Sequence, residues 1–193
     1  MKRWVRGASA LVLGTALLAA TALADAKPLK LDTTHSKVGF TASTLLFDVD
    51  GHFGKYDVKV DGDPSKPESA KLSVSIDVSS IDTDNGKRDS HLKAPDFFDA
   101  KKFPKITFTS SKITRKGNKL SVSGTLTMHG KSRKVTLPMK IATGKNGAGK
   151  ATTAYKGKLT INRNDFGVGQ DSIAAKISLE DEVEISLLIV AFI

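Results

Sequence analysis

An all-β fold is what this sequence predicts: an antiparallel barrel or sandwich of about eight or nine strands, with one or two short helices. Three observations carry that reading. Apolar residues recur with period two along most of the chain, turn signals separate the runs at short intervals, and only one segment lacks the alternation. Strands in such a series bury one face each against a shared core and leave the other to solvent, without a helical layer.

Taken in order, Val38, Phe40 and Ala42 alternate with Lys37, Gly39 and Thr41, and the strand is read as continuing to Phe47. Ten residues in that conformation would span roughly 33 Å. Asp50-Gly51 reads as a turn, Val58 and Val60 as the next strand, and Asp61-Gly62-Asp63-Pro64 as a second turn. Ala70, Leu72, Val74, Ile76 and Val78 then alternate with Lys71, Ser73, Ser75, Asp77 and Ser79. Further runs are Ile106/Phe108, Leu120/Val122, Leu126/Met128, Val135/Leu137/Met139/Ile141, Leu159/Ile161 and Val183/Ile185/Leu187/Ile189. Lys116-Gly117-Asn118, His129-Gly130 and residues 144–149 supply the turns between them.

Residues 79–104 are the exception, too long for a hairpin loop and without alternation. Asp96 followed by Asp99 resembles an N-cap arrangement, Phe97-Phe98 offer apolar anchors, and Pro104 would stop a helix. Short helices are expected here, lying across the barrel or closing one end. A porin is a poor match, because the outward faces carry Lys59, Asp61, Lys71, Ser73, Lys131 and Lys134, which hydrocarbon would not tolerate. The apolar last strand with its penultimate Phe192 is the one hint toward such a barrel, but it is read as a buried strand or one covered by the helical segment.

The N-terminus is set aside from the fold. Lys2, Arg3 and Arg6 precede an uncharged Leu/Ala/Val-rich stretch that closes on Ala22-Leu23-Ala24. That pattern predicts a cleaved signal peptide over residues 1–24, a mature domain over 25–193, and export. The whole chain carries a net charge of +10; without the three leader cations the balance is 27 basic to 20 acidic, or +7. The signs are interspersed, which suits solubility or transient contact with an anionic membrane surface, and export argues against a nucleic-acid partner. There is no cysteine, so neither a disulfide framework nor a lipidated N-terminal Cys is available. No stretch after residue 26 is apolar for the ~20 residues of a membrane helix.

Chemistry-bearing motifs are scarce. Residues 144–150 match a P-loop string, but Ala151 stands where a hydroxyl is needed and strands flank it, so a hairpin loop is expected. His35, His52, His91 and His129 lack metal-ligand spacing, and Asp82-Thr83-Asp84-Asn85-Gly86 fits a turn better than a calcium loop. Ser36 beside His35 would diverge from it on a strand, so no nucleophile–base pair is nominated, and no catalytic residue, metal or cofactor is expected. His35 and Ser36 are read as making structural hydrogen bonds at the start of the first strand.

Several motifs together resemble the YceI-like family of polyisoprenoid-binding proteins. They are Leu31-Asp32-x-x-His35-Ser36-x-Val38-x-Phe40, Gly51-x-Phe53-Gly54-x-Tyr56, Ser80-Ile81-Asp82-Thr83 and Arg88-Asp89-x-His91-Leu92. Then follow Asp96-Phe97-Phe98-Asp99-Ala100-x-x-Phe103-Pro104, Ile106-Thr107-Phe108-x-Ser110, Gly124-x-Leu126-Thr127-x-His129-Gly130 and Arg163-x-Asp165-Phe166-Gly167-Val168-Gly169. The matches run in order from residue 31 to 169. The resemblance implies a lipocalin-like antiparallel barrel of about eight strands and a tunnel holding a polyprenyl chain or similar long apolar lipid, usually in the periplasm.

On that basis the expected function is non-catalytic binding and transport of a polyisoprenoid, with a quinone-related cargo among the options. The candidate lining set is Phe40, Ala42, Leu72, Val74, Ile76, Phe97, Phe98, Phe103, Phe108, Leu126, Met128, Ile161 and Phe166. Inward Phe residues fill a solid small barrel equally well, so ordinary core packing stays open for each. Arg88, His91, Arg163 and Asp165 are the candidates for a polar head group, with Arg88–Asp89 and Arg163–Asp165 ion pairs as the structural alternative. The competing function is a solid-core interaction module that docks on an anionic membrane or a protein partner; a homodimer is left open.

Overall fold

In the computed structural model, residues 30–62 and 66–192 are described. The signal-peptide reading and the Asp63-Pro64 half of the second turn lie outside them. The strands are β1 (Lys30–Leu31), β2 (Lys37–Thr44), β3 (Asp48–Phe53), β4 (Tyr56–Asp61), β5 (Lys71–Asp77), β6 (Ile81–Asp82), β7 (Lys105–Lys116), β8 (Lys119–Met128), β9 (Lys131–Lys145), β10 (Ala151–Asn162) and β11 (Leu179–Phe192). Two short helices accompany them, α1 (Gly86–Leu92) and α2 (Ile173–Ser178).

The strands form one antiparallel sheet in the order β4-β5-β7-β8-β9-β10-β11-β2-β3-β6, with β1 pairing on β11. Beyond β3 the path adds only the two-residue β6, and β3 and β4, near its opposite ends, are separated only by Gly54 and Lys55. Their amides turn aside to Ser80, Gly54 N donating to its carbonyl and Lys55 N to its hydroxyl, each at 3.0 Å. Residues 48–61 therefore act as one bent strand, pairing first with β2 and then with β5, and the sheet curls round into an eight-stranded barrel wall. Alternation puts Val74, Phe108 and Leu126 side by side on the inner face, and Ile185 opposite Phe40.

Two local readings need correction. Asp50-Gly51 is not a turn but the middle of β3, opposite Thr41 and Phe40. The β2–β3 reversal falls at residues 45–47, where the Thr44 hydroxyl donates to the Phe47 carbonyl and accepts from the Leu46 and Phe47 amides. Gly51 serves close packing: a Cβ there would lie 2.7 Å from Phe40 Cε1 and 2.9 Å from Thr83 Cγ2. Gly51→Ala is accordingly expected to cost about 2 kcal/mol, an overpacking penalty, measurable as a lower urea midpoint.

The other correction concerns helices. Within 79–104 the helix begins not at Asp96 but at Asn85, whose side chain accepts from the Lys87 and Arg88 amides, each at 3.2 Å. Residues 94–103 form tight turns instead, held by Phe97 N and Asp99 N on the Ala94 carbonyl and by Phe103 N on that of Asp99. Pro95 disfavours the helical conformation of Ala94 ahead of it. The second helix, α2, lies outside that segment altogether. At six residues it is too short to show a period, and of its side chains only Ala175 is buried.

The end of β11 is tied to the segment that leads into β2. Ser36 bridges the Val190 backbone, its hydroxyl accepting from the amide at 2.9 Å and donating to the carbonyl at 3.3 Å. Asp32 N reaches the same carbonyl, and Lys150 Nζ lies 4.1 Å over the Phe192 ring. His35 Nδ1 stands 2.9 Å from Asp32 Oδ2, closing the turn before β2.

Candidate functional site

Antiparallel alternation sends the β2–β3, β5–β7, β8–β9 and β10–β11 connections to one end of the barrel, the capped end. The β4–β5, β7–β8 and β9–β10 connections lie at the other. Between them runs a cavity of about 210 Å³. A single water needs only about 10–15 Å³ on a comparable measure, and close-packed cores leave few voids even of that size. The barrel encloses a hollow rather than a filled core.

The lining reaches from Leu92, Phe97, Phe98 and Val168 at the capped end to Val60, Pro67 and Ala70 at the other. Of its 35 residues only Tyr155 and Arg163 carry a nitrogen or oxygen in the side chain. Two buried clusters flank the hollow, one around Val38, Phe53 and Ile106, the other formed by Ile113, Leu120, Val122, Leu137 and Met139. Leu72, Phe108, Tyr155, Leu159 and Leu187 touch both and stay only half-buried.

Eleven of the thirteen lining candidates face this space: Phe40, Ala42, Leu72, Val74, Ile76, Phe97, Phe98, Phe108, Leu126, Met128 and Ile161. Phe103 and Phe166 do not. Phe103 lies beyond the strand ends, edge-on to His129 with ring centroids 4.8 Å apart and with Lys102 Nζ 5.2 Å from its centroid. Phe166 is buried in the single-turn 3-10 helix Arg163–Phe166, packed into the shell rather than the hollow. Both follow chain that has left the strand, where period two no longer tells inside from outside. The residues that sequence reading missed, such as Val135, Leu137, Met139, Leu159, Ile185 and Leu187, continue the same alternation and needed only to be followed along each strand. Tyr155 had no such signal, because Thr152 to Lys156 does not alternate cleanly.

The four polar candidates separate. Arg163 touches the cavity, but its guanidinium is engaged elsewhere. Nε donates to the Glu180 carbonyl, Nη1 to the Val168 carbonyl and Asn164 Oδ1, and Nη2 to the Leu179 carbonyl and Asp181 Oδ1, all between 3.0 and 3.3 Å. Its carboxylate partner is therefore Asp181 rather than Asp165, because the turn folds the side chain toward the start of β11. Arg88 and Asp89 are adjacent on α1 and form no ion pair; both converge on Thr83. Arg88 donates to its hydroxyl and carbonyl, and Asp89 Oδ1 accepts from its amide and hydroxyl. Neither Arg88, His91 nor Asp165 lines the cavity.

His91 stacks edge-on against Phe97 and holds Asp96, Nε2 to Oδ2 at 2.8 Å. Burial pushes the Asp96 carboxyl up, but hydrogen bonds from His91 and Ser172 and the His91 charge outweigh it and hold the carboxyl below its ordinary value. A depressed carboxylate contributes stability above its unfolded pKa, near 4, and loses it as pH falls through the lower folded value. Urea midpoints from about pH 5 downward should fall less steeply in Asp96→Asn than in the parent; parallel curves would refute the coupling.

At the capped end, Leu45, Leu46 and Phe47 of the hairpin and Ile173 and Ile177 of α2 are exposed, Leu46 most at 89%. The Leu45 amide donates to the Ser178 carbonyl, and Thr44 pairs with Leu179, so hairpin and helix are neighbours. Leu179 and Ala42, just behind them, line the cavity. Among the described residues there is no group of three or more metal-ligating side chains, and no helix long and apolar enough to cross a membrane.

Known proteins share this architecture. A UPF0312 protein of Pseudomonas putida strain F1 is 34% identical over 181 residues, covering 91% of this chain and 94% of its own. The crystal structure of Burkholderia cenocepacia BcnA superposes with a TM-score of 0.73 at 35% identity, covering 84% of this chain and 99% of that one. A polyisoprenoid-binding domain from Saccharophagus degradans, implicated in plant cell wall breakdown, shares the fold with a TM-score of 0.66 at 16% identity, over 86% and 99% of the two chains. The YceI-like domain model matches residues 29–191, almost the whole barrel, and the chain belongs to the YceI-like family.

Proposed function

We propose that this protein binds a long apolar lipid of the isoprenoid type, a quinone or quinone precursor among them, inside the barrel and carries it without transforming it. The observation that carries this reading is the lining, a hollow as long as the barrel with 33 of 35 residues apolar or glycine. Each methylene withdrawn from water is worth about 0.8 kcal/mol, so ten would supply about 8 kcal/mol before ordering costs. Shape and apolar contact would then hold a chain without a strong polar anchor. The polyisoprenoid binding of the Saccharophagus degradans domain supports the choice of lipid class.

The exposed apolar hairpin and α2 beside the capped end suit a lipid entering there from a membrane surface. Export by the leader over residues 1–24 would place the carrier in the periplasm, between two membranes. Organic extraction of purified mature protein, followed by mass spectrometry, tests the function. A stoichiometric isoprenoid supports it and names the cargo; an empty protein that also takes up no offered isoprenoid overturns it.

A further inference from the structure

The polar content of the cavity is confined to two side chains, and they are not equivalent. Arg163 already directs its nitrogens at five acceptors, three of them backbone carbonyls, and has nothing left to offer a ligand. Tyr155, in β10 between Ile141 of β9 and Ile189 of β11, makes no side-chain hydrogen bond among the described residues. It is half-buried and packs against both apolar clusters. No polar side-chain atom of the described residues is both sealed off and unpartnered. The Tyr155 hydroxyl therefore keeps access to open space, in a wall otherwise made of hydrocarbon.

A phenol in such a wall favours a ligand that brings an oxygen to it, since buried Tyr hydroxyls nearly always find a partner. An ionised head would lose its hydration there: the one lining cation, Arg163, is committed, and Arg115, whose charge acts on the Tyr155 hydroxyl, is exposed and lies outside the lining. We propose that Tyr155 is the head-group anchor of the cavity, donating a hydrogen bond to a neutral oxygen, such as an alcohol, carbonyl or quinone oxygen, on an otherwise apolar chain. Burial raises the Tyr155 hydroxyl above its ordinary pKa, against a smaller opposing effect of Arg115, so the group stays protonated and able to donate at neutral pH.

The inference rests on the carrier function proposed above, and the experiment separates the two. Binding of three probes is measured to the parent and to Tyr155→Phe: squalene, an isoprenoid alcohol of matching length, and the phosphate ester of that alcohol. Thermal melts confirm that the variant is folded. The expected result is an affinity for the alcohol about threefold to tenfold weaker in the variant, the worth of one neutral hydrogen bond, with squalene unchanged. The parent should bind the phosphate ester less tightly than the alcohol. Equal loss for squalene and alcohol would make Tyr155 a packing residue, and an unchanged alcohol affinity would remove the anchor; either overturns this assignment while leaving the carrier function standing. A parent that binds none of the three overturns both.

Discussion

Val74→Trp is expected to weaken binding of a long isoprenoid about a hundredfold while leaving the barrel folded. Val74 sits mid-strand in β5, between Val58 and Phe108 in the sheet, and projects half-buried into the hollow. An indole there would displace about four methylene-equivalents of ligand, or about 3 kcal/mol at 0.8 kcal/mol each, and about two orders of magnitude in Kd. In a filled core the same change would cost stability through overpacking, but here the ring has space to enter. Lipid titration and a thermal melt on one preparation decide the matter. Unchanged affinity in a folded variant would mean that the lipid binds elsewhere; a collapse in Tm would mean that the space is not available.

Arg163→Met should lower Tm by about 6–12 °C. The ion pair with Asp181 is a minor part of this, because that carboxylate is largely exposed and such pairs are worth little. The larger loss comes from the carbonyls of Val168, Leu179 and Glu180, which Arg163 alone gathers from two separate stretches of chain. Leaving buried acceptors without donors costs about 1–3 kcal/mol each; allowing for solvent reaching some of them, about 3 kcal/mol remains, and for a domain of this size that is 2–4 °C per kcal/mol. Lysine should recover only part of the loss, because one ammonium cannot reproduce the planar fork. A Tm within about 2 °C of the parent would show that the turn and the start of β11 hold together without the guanidinium.

Much of the site was legible in the residues. The period-two runs through Leu72-Val74-Ile76 and Leu126-Met128 locate inward faces directly, since each side chain on a strand must go to one face or the other. Where the chain leaves the strands the rule lapses: Phe103 and Phe166 lie outside the lining, α2 is too short to show a period, and Asp96 caps no helix. Asp50-Gly51 misled for a related reason. Local turn propensity pointed to a reversal, while the actual requirement for glycine comes from Phe40 on the neighbouring strand.

From the sequence alone, then, come the all-β class, the inward faces of the strands and the family. These depend on alternation and on motifs that are contiguous in the chain. Tertiary structure decided whether the inward Phe, Leu and Val side chains meet across the barrel or stop short and leave a hollow, which is a matter of barrel radius and strand bend that no single strand encodes. It also decided that Arg163 is spent on backbone carbonyls, whereas Tyr155 makes no side-chain hydrogen bond among the described residues. Hydrogen-bond partners are assigned by which distant segments arrive at the same place, and only the folded chain brings them there.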